Sequence, residues 1–189
     1  MTPDDLMAIE ESQLAQKAVK LLGQSLEHHL LSRTEFTLAL VLDYLLVTLL
    51  YENGSQPGPL ETAKVSRFEK ATYTSSERRW TMVVDEHKTT RHQGPVEIVM
   101  DNRLYGYVRI YVQNIRPAYV YNGLEDALFI REDGRPFERG KIGKRVAEFF
   151  KKAGVREDIR CSSRKVRKIF SGEAFNLPPE QKRLMHRHM

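Results

Sequence analysis

Apolar residues recur at three- and four-residue steps through the first part of the chain. This spacing predicts an amphipathic helix from Ala8 to Leu31, because it places the apolar side chains on one helix face. A longer apolar helix is predicted to follow through Tyr51, since Ser32-Arg33-Thr34-Glu35 has the hydroxyl and carboxylate of a capping box. Asn53-Gly54 is predicted to end it, because glycine readily adopts the left-handed conformation of a helix C-terminus.

The middle of the chain has shorter apolar runs separated by turn residues. Gln56-Pro57-Gly58-Pro59 predicts a tight connection outside any helix interior, and short helices are expected after it over 60–64 and 66–72. Arg78 to Lys88 and Val96 to Met100 have the composition of strands, and the polar residues between them predict a hairpin.

Helical spacing of apolar residues returns after the hairpin. It predicts a helix from Asp101 to Ile115 and an amphipathic helix from Lys141 to Ala153, the latter stopped by Gly154. Between these helices, Ala127 to Ile130 predicts a short buried strand.

Two further helices are predicted near the C-terminus, one capped by Ser162 and Ser163 and running to about Phe175, the other opened by Pro178-Pro179. Taken together, the elements predict an α+β fold that is mostly α-helical with a small antiparallel sheet.

The composition narrows the class of protein. The 189 residues are 41% hydrophobic and 29% charged, which predicts one globular domain. The single cysteine, Cys161, excludes an internal disulfide framework and fits a reducing compartment. No clustered Cys and His spacing predicts a metal site. The apolar run from Leu38 to Leu50 contains Asp43 and is too short to span a bilayer, so an intracellular protein with no membrane partner is expected.

Positive charge is concentrated at one end of the chain. Arg139 to Met189 has 15 Lys and Arg residues against 5 Asp and Glu, whereas the rest of the chain has a net negative charge. A basic segment attached to an acidic body indicates a polyanion partner, and double-stranded DNA is the default because Lys and Arg neutralise phosphates. A basic, merely solubilising surface has the same composition and stays an alternative on charge alone.

Three short segments occur in a fixed order along the chain. They are Glu86-His87-Lys88-Thr89 at the end of a predicted strand, Arg164-Lys165-Val166-Arg167-Lys168 on a basic helix, and Leu184-Met185-His186. In this order they resemble the catalytic domain of tyrosine recombinases of the phage-integrase type, most closely the transposon-encoded eukaryotic, Crypton-like branch. The resemblance covers about Ser32 to Met189 and implies the fold of that catalytic domain.

The resemblance implies a role for each matched residue when a tyrosine hydroxyl attacks a DNA phosphodiester. Lys88 matches the hairpin lysine, which would protonate the leaving 5′ oxygen. Arg167 matches the second arginine, whose paired donors stabilise charge on the non-bridging oxygens. His186 matches the late histidine, which donates a further hydrogen bond. Neither a cofactor nor a metal is implied, because the phosphotyrosyl bond conserves the energy of the broken bond.

The basic helix departs from the family pattern at one position. The family has His-x-x-Arg, whereas this chain has Arg164 in place of the histidine. Arg164 can donate to a phosphate but cannot act as a base, because its guanidinium stays protonated. With Lys165 and Lys168 it is predicted to bind DNA phosphates beside Arg167.

Two further departures indicate that the chain is catalytically impaired. Gln56 stands before Pro-Gly where the family has its first arginine, so the positive charge and the paired donors are lost. The family places its nucleophilic tyrosine about ten residues after the late histidine, and only three residues follow His186 here.

These observations predict two segments, an N-terminal helix or linker over 1–31 and a tyrosine-recombinase-like catalytic domain over 32–189. The predicted function is DNA binding in a protein of DNA integration or recombination, nuclear if the host is eukaryotic, with a possible homo-oligomer on DNA. Two alternatives stay open. One is a fragment of an active recombinase or transposase, and the other is an interaction scaffold that kept the fold but not DNA binding.

Overall fold

The computed structural model describes residues 3–27, 35–54, 57–85, 94–120 and 125–155, and its elements are helices around a small sheet. The helices are α1 (Pro3–Glu11), α2 (Gln13–Glu27), α3 (Glu35–Asn53), α4 (Pro57–Thr62), α5 (Val65–Phe68), α6 (Asn102–Ile110) and α7 (Lys141–Lys152). A π-helix (Tyr111–Ile115) and a 3-10 helix (Arg116–Ala118) continue α6. The strands are β1 (Thr72–Thr74), β2 (Arg79–Val84) and β3 (Val96–Asp101).

Helix α3 forms the centre of the core. Every residue from 40 to 50 is buried, as expected for a helix that is apolar on all sides. Helices α2, α6 and α7 and strand β3 pack around it. The positive φ of Gly54 ends α3 as predicted, because glycine has no Cβ to oppose that conformation.

The first predicted helix is divided in two. Ser12 separates α1 from α2, and its Oγ accepts a hydrogen bond from the Ala15 N–H at 3.2 Å while donating to the Ile9 carbonyl at 2.6 Å. A serine side chain that caps a helix start in this way competes with helix continuation. Both helices nevertheless contribute to the common core, through residues such as Ile9 and Ala18. The proposed division of the chain after residue 31 stays a prediction.

The sheet has the order β1-β2-β3 and is antiparallel throughout. The predicted hairpin of β2 and β3 is confirmed, with Met82 opposite Ile98 and both side chains buried. The helix predicted over 66–72 is confirmed only at its start, because α5 ends at Phe68 and Thr72 begins β1. The Thr-Tyr-Thr run of β1 favours an extended backbone, and pairing with β2 stabilises it.

Three other predictions need correction. Helix α4 already begins at Pro57, since proline is compatible with a first helical turn. The predicted strand over 127–130 is reduced to two isolated bridges, Lys64 with Ala127 and Ile130 with Pro136. The helix predicted to Ile115 changes to a π-helix at Tyr111.

Helix α7 matches its prediction closely. Its apolar side chains are buried on one face, and Gly154, with φ of 71°, follows its end. The two helices predicted after residue 160 lie outside the described residues. None of the helices in the described ranges is both long and apolar enough to cross a membrane.

Candidate nucleic-acid interface

None of the residues predicted for the site is among those that the structure describes. Gln56 lies in 55–56, Lys88 in 86–93, and Arg164, Lys165, Arg167, Lys168 and His186 in 156–189. The structure does describe the elements that flank the first two of these positions and the basic helix that precedes the last five.

The end of α3, just before position 56, is fixed to the sheet by one asparagine. The Asn53 side chain accepts a hydrogen bond from the Val99 N–H at 2.6 Å and donates to the Val99 carbonyl at 3.0 Å. It also donates to the Leu49 carbonyl at 2.9 Å. The amide thus pairs with β3 as a neighbouring strand would and satisfies both backbone groups of Val99.

Replacing Asn53 with alanine is expected to destabilise the fold by about 1–3 kcal/mol, because the backbone groups of half-buried Val99 lose their partners. Hydrogen exchange at the Val99 amide should become faster in the variant, while exchange at the core amide of Met82 should follow global unfolding alone. Unchanged protection of Val99 would contradict this assignment.

Asp85, which directly follows β2 and lies three residues before Lys88, is held by α5. The guanidinium of Arg67 forms an ion pair with the carboxylate of Asp85, and both side chains are 40% exposed. A pair this exposed contributes at most about 1 kcal/mol to stability, so its main effect is on the position of the strand end.

Helix α5 is in turn held by the segment 125–128. Asp126 accepts hydrogen bonds from the Ser66 N–H at 3.1 Å and the Ser66 hydroxyl at 2.8 Å. Buried Arg116 fixes this segment from the other side, because its guanidinium donates to the carbonyls of Glu125 at 2.5 Å and Ala127 at 2.8 Å. The residues before positions 56 and 88 therefore both adjoin the same sheet. Asn53 of α3 bonds to β3, and Asp85 directly follows β2 and is also held by α5.

A basic surface on α7 was not assigned to the site from the sequence. Four lysines and one glutamate are exposed on this helix, whereas its apolar residues face α3 and α4. The exposed set is Lys141, Lys144, Glu148, Lys151 and Lys152. The spacing of the lysines opposite the apolar stripe was a readable signal, whereas the basic-helix motif indicated phosphate-binding residues only within 164–168.

The start of α7 lies beside α4, the helix that begins directly after Gln56. The Gly140 N–H donates to the Glu61 carboxylate at 2.8 Å, which joins the two helices. The nearest lysine, Lys141, lies 3.6 Å from Glu138 in a weak, exposed ion pair. The basic face of α7 therefore begins beside the element that follows the first predicted catalytic position.

Arg145 is the inward-facing cation of α7 and fixes the helix on the core. Its guanidinium pairs with Asp43 of α3, donates to Glu132 at 2.5 Å and to the Ala39 carbonyl at 3.3 Å. It also lies 5.7 Å from the ring centroid of Phe137, within range of a cation–π contact. Arg145 is bonded to two carboxylates and is therefore not available to a ligand. The exposed lysines are the cationic side chains of α7 that can bind one.

The two carboxylates around Arg145 titrate differently. Burial raises the pKa of Asp43 to about 6, and attraction to Arg145 offsets only part of this rise. Burial alone would raise the pKa of Glu132 as well. The hydrogen bond and charge of Arg145, a backbone hydrogen bond and the charge of Arg131 together outweigh burial, so the pKa lies below its ordinary value.

The raised pKa of Asp43 predicts a pH-dependent stability. Between about pH 4 and 6 the folded chain binds a proton that the unfolded chain releases, so the free energy of unfolding should fall as pH rises through this window. At about 1.4 kcal/mol per pKa unit, the change is up to about 3 kcal/mol. Urea unfolding at several pH values should show this slope for the wild type and a shallower one in Asp43→Asn. Part of the slope should remain, because burial also raises the pKa of Glu52, to about 7. Exposed Asp133→Asn is the control, and an unchanged slope in Asp43→Asn would contradict the assignment.

No group of three or more His, Cys, Asp and Glu side chains within the described ranges is placed to hold a metal ion. The expectation that the site needs no cofactor stays a prediction.

Comparisons with known proteins identify the fold of this chain. No protein-family model matches the chain, and no curated protein matches it. Among solved structures, the site-specific recombinase XerH bound to difH substrate in a pre-cleavage complex is similar with a TM-score of 0.53 and 15% identity, over 85% of this chain and 41% of that chain. XerH bound to palindromic difH substrate in a post-cleavage complex gives a TM-score of 0.52 and 13% identity, over 82% and 39%.

These likenesses show that the chain has a tyrosine-recombinase-like fold, mostly helical with a small antiparallel sheet, as the sequence predicted. The chain spans about two fifths of the length of the solved chains that it matches.

Proposed function

We propose that this chain is a DNA-binding domain of a tyrosine-recombinase-like protein that takes part in DNA integration or recombination. The observation that carries the proposal is the basic face of α7, four exposed lysines on a helix that Arg145 fixes to the core of this fold. Lysines in such an array neutralise successive phosphates and release counterions, which favours binding to duplex DNA.

The proposed DNA surface continues from α7 into the basic segment that follows it. Arg164, Lys165, Arg167 and Lys168 add phosphate-binding side chains, and Lys88 and His186 occupy positions that match catalytic residues of the family. The Crypton-like branch is proposed from His87-Lys88-Thr89 and from the Pro-Gly that follows position 56. A nuclear location in a eukaryotic host and a homo-oligomer on DNA belong to the same proposal.

We further propose that catalysis is impaired by Gln56. A glutamine amide offers donors but neither the charge nor the fork of a guanidinium, and loss of one such donor commonly costs about 10²–10³ in rate. Cleavage of a nicked duplex by the wild-type chain as fast as by Gln56→Arg would contradict the impairment.

Binding to generic duplex DNA, measured by fluorescence anisotropy across a salt series, tests the proposal. Affinity should fall steeply with salt, and the Arg164→Ala/Arg167→Ala variant should bind more weakly with a slope reduced by about 2, close to 0.9 per lost phosphate contact. A thermal melt of the variant controls for folding. Absence of binding at low salt would favour the interaction scaffold instead.

A further inference from the structure

Four aromatic side chains form a continuous stack that runs from the core to the surface. Phe68 is buried and lies 5.0 Å from Tyr105, measured between ring centroids. Tyr105 and Trp80 are parallel within 4° at 3.8 Å, and Tyr73 is tilted by 45° against Trp80 at 5.2 Å. The outermost ring, Tyr73 on β1, is 42% exposed. The stack therefore presents one open aromatic surface at the end of the sheet.

The stack is held rigidly beneath its exposed ring. Trp80 pairs with Tyr73 across the β1–β2 ladder, and its indole N–H donates to Asn102 at 3.0 Å. A planar ligand that stacked on Tyr73 would meet a surface that is already ordered, so little conformational entropy would be lost on binding.

The turn that joins β1 to β2 contains an unfavourable backbone conformation. Arg78 has φ of 53°. Among the described residues other than glycine, it is the one with a positive φ. Glycine would adopt this conformation without the steric cost that an arginine Cβ brings. The side chain is exposed. Strained residues of this kind cluster at ligand contacts, which makes the exposed Arg78 side chain a candidate for one.

Arg78 supplies a cation in the turn next to the strand that carries the exposed ring. Lys70 and Arg78 are exposed in the segments on either side of β1, against Glu69 and Glu77, whereas Arg79 adjoins Trp80 on β2 and lies on the opposite face of the sheet. Arginine combined with an open aromatic ring is the combination that binds unpaired bases and their phosphates, because every base has a face that can stack.

We propose that Tyr73 and Arg78 form a contact site for single-stranded nucleic acid. An unpaired base stacks on Tyr73, and Arg78 binds a neighbouring phosphate. Bases in a duplex have their faces covered by their neighbours, so the ligand is a single strand. The site lies at the opposite end of β2 from Asp85, roughly 20 Å away at about 3.3 Å per residue, and it does not depend on the proposed duplex binding.

Trp80 makes the site directly observable, because it is the single tryptophan of the chain and belongs to the stack. Titration with single-stranded oligothymidine should quench its fluorescence to saturation. Tyr73→Ala should weaken the affinity about 5- to 150-fold, the usual range for loss of one stacked base, while Tyr73→Phe should retain it. Val83→Ala, at an equally exposed β2 position, is the matched control and should bind as the wild type does.

Arg78 gives a second, independent variant. Arg78→Gly should lose affinity for oligothymidine yet melt about 2–4 °C higher, because glycine relieves the left-handed backbone. The proposal is overturned if oligothymidine leaves Trp80 unchanged, if Tyr73→Ala and Arg78→Gly both bind as the wild type does, or if a duplex or an acidic peptide competes equally well. Duplex binding is tested separately by Arg164→Ala/Arg167→Ala, so one proposal can fail while the other stands.

Discussion

Replacing Arg145 with alanine is expected to destabilise the fold by about 3–5 kcal/mol. The guanidinium is the partner of Asp43, whose side chain is 11% exposed, and it also pairs with Glu132. Without the guanidinium, the ionised Asp43 carboxylate has no ion-pair partner at this contact. Its burial then destabilises the ionised form. Urea unfolding followed by Trp80 fluorescence at pH 7 measures the loss.

A double variant separates the loss of a partner from the value of the pair itself. Asp43→Leu/Arg145→Met removes both charges and keeps the volume, so it should recover most of the stability that Arg145→Ala loses. If Arg145→Ala costs less than about 1 kcal/mol, or if the double variant is the less stable of the two, the account of a buried ion pair is wrong.

Replacing Phe150 with alanine is the second change with a large expected effect, about 3–5 kcal/mol. Phe150 is completely buried in the interior face of α7 and belongs to the core that α3 also forms. A cavity in this position removes contacts that neighbouring side chains can restore only in part. Equilibrium urea unfolding gives the difference.

The adjacent residue provides a matched control. Lys151 is exposed on the same helix, so Lys151→Ala should change stability by no more than about 0.5 kcal/mol. Equal losses in the two variants would mean that helix propensity, and not burial of the apolar face, decides how α7 is held.

The elements predicted best are those whose sequence pattern agrees with their packing. Helix α3 is apolar on all sides and lies at the centre, and α7 has an apolar stripe that covers the core. The β2–β3 hairpin was readable because β-branched and apolar residues flank a polar segment. In each case local preference and tertiary burial favour the same structure.

The errors occur where a contact distant in sequence decides the conformation. Strand β1 has only three residues and is stabilised by its pairing with β2, which no local pattern specifies. The expected strand over 127–130 gives way to isolated bridges, because Lys64, the partner of Ala127, lies between helices α4 and α5 and no strand is available there for pairing. The break at Ser12 was missed because one serine can either continue a helix or cap the next.

The candidate site was only partly predictable. Motif resemblance selected Lys88, Gln56 and Arg167, all outside the described residues, and their roles stay predictions. It could not select Asn53 or Arg145, because an amide that pairs with a strand edge and an arginine that joins two helices have no sequence signature. Those roles come from hydrogen bonds between residues 46 and 102 positions apart.

The central claim is that α7 forms a DNA-binding surface. It is tested most directly by measuring how tightly two lysine double variants bind duplex DNA. Lys144→Gln/Lys151→Gln removes two charges from the proposed DNA surface on α7, and Lys17→Gln/Lys20→Gln removes two from α2, all four lysines being exposed. We expect the α7 variant alone to bind duplex DNA about tenfold more weakly at low salt, with a salt slope reduced by about 2. Equal affinities for the two variants would contradict a DNA surface on α7.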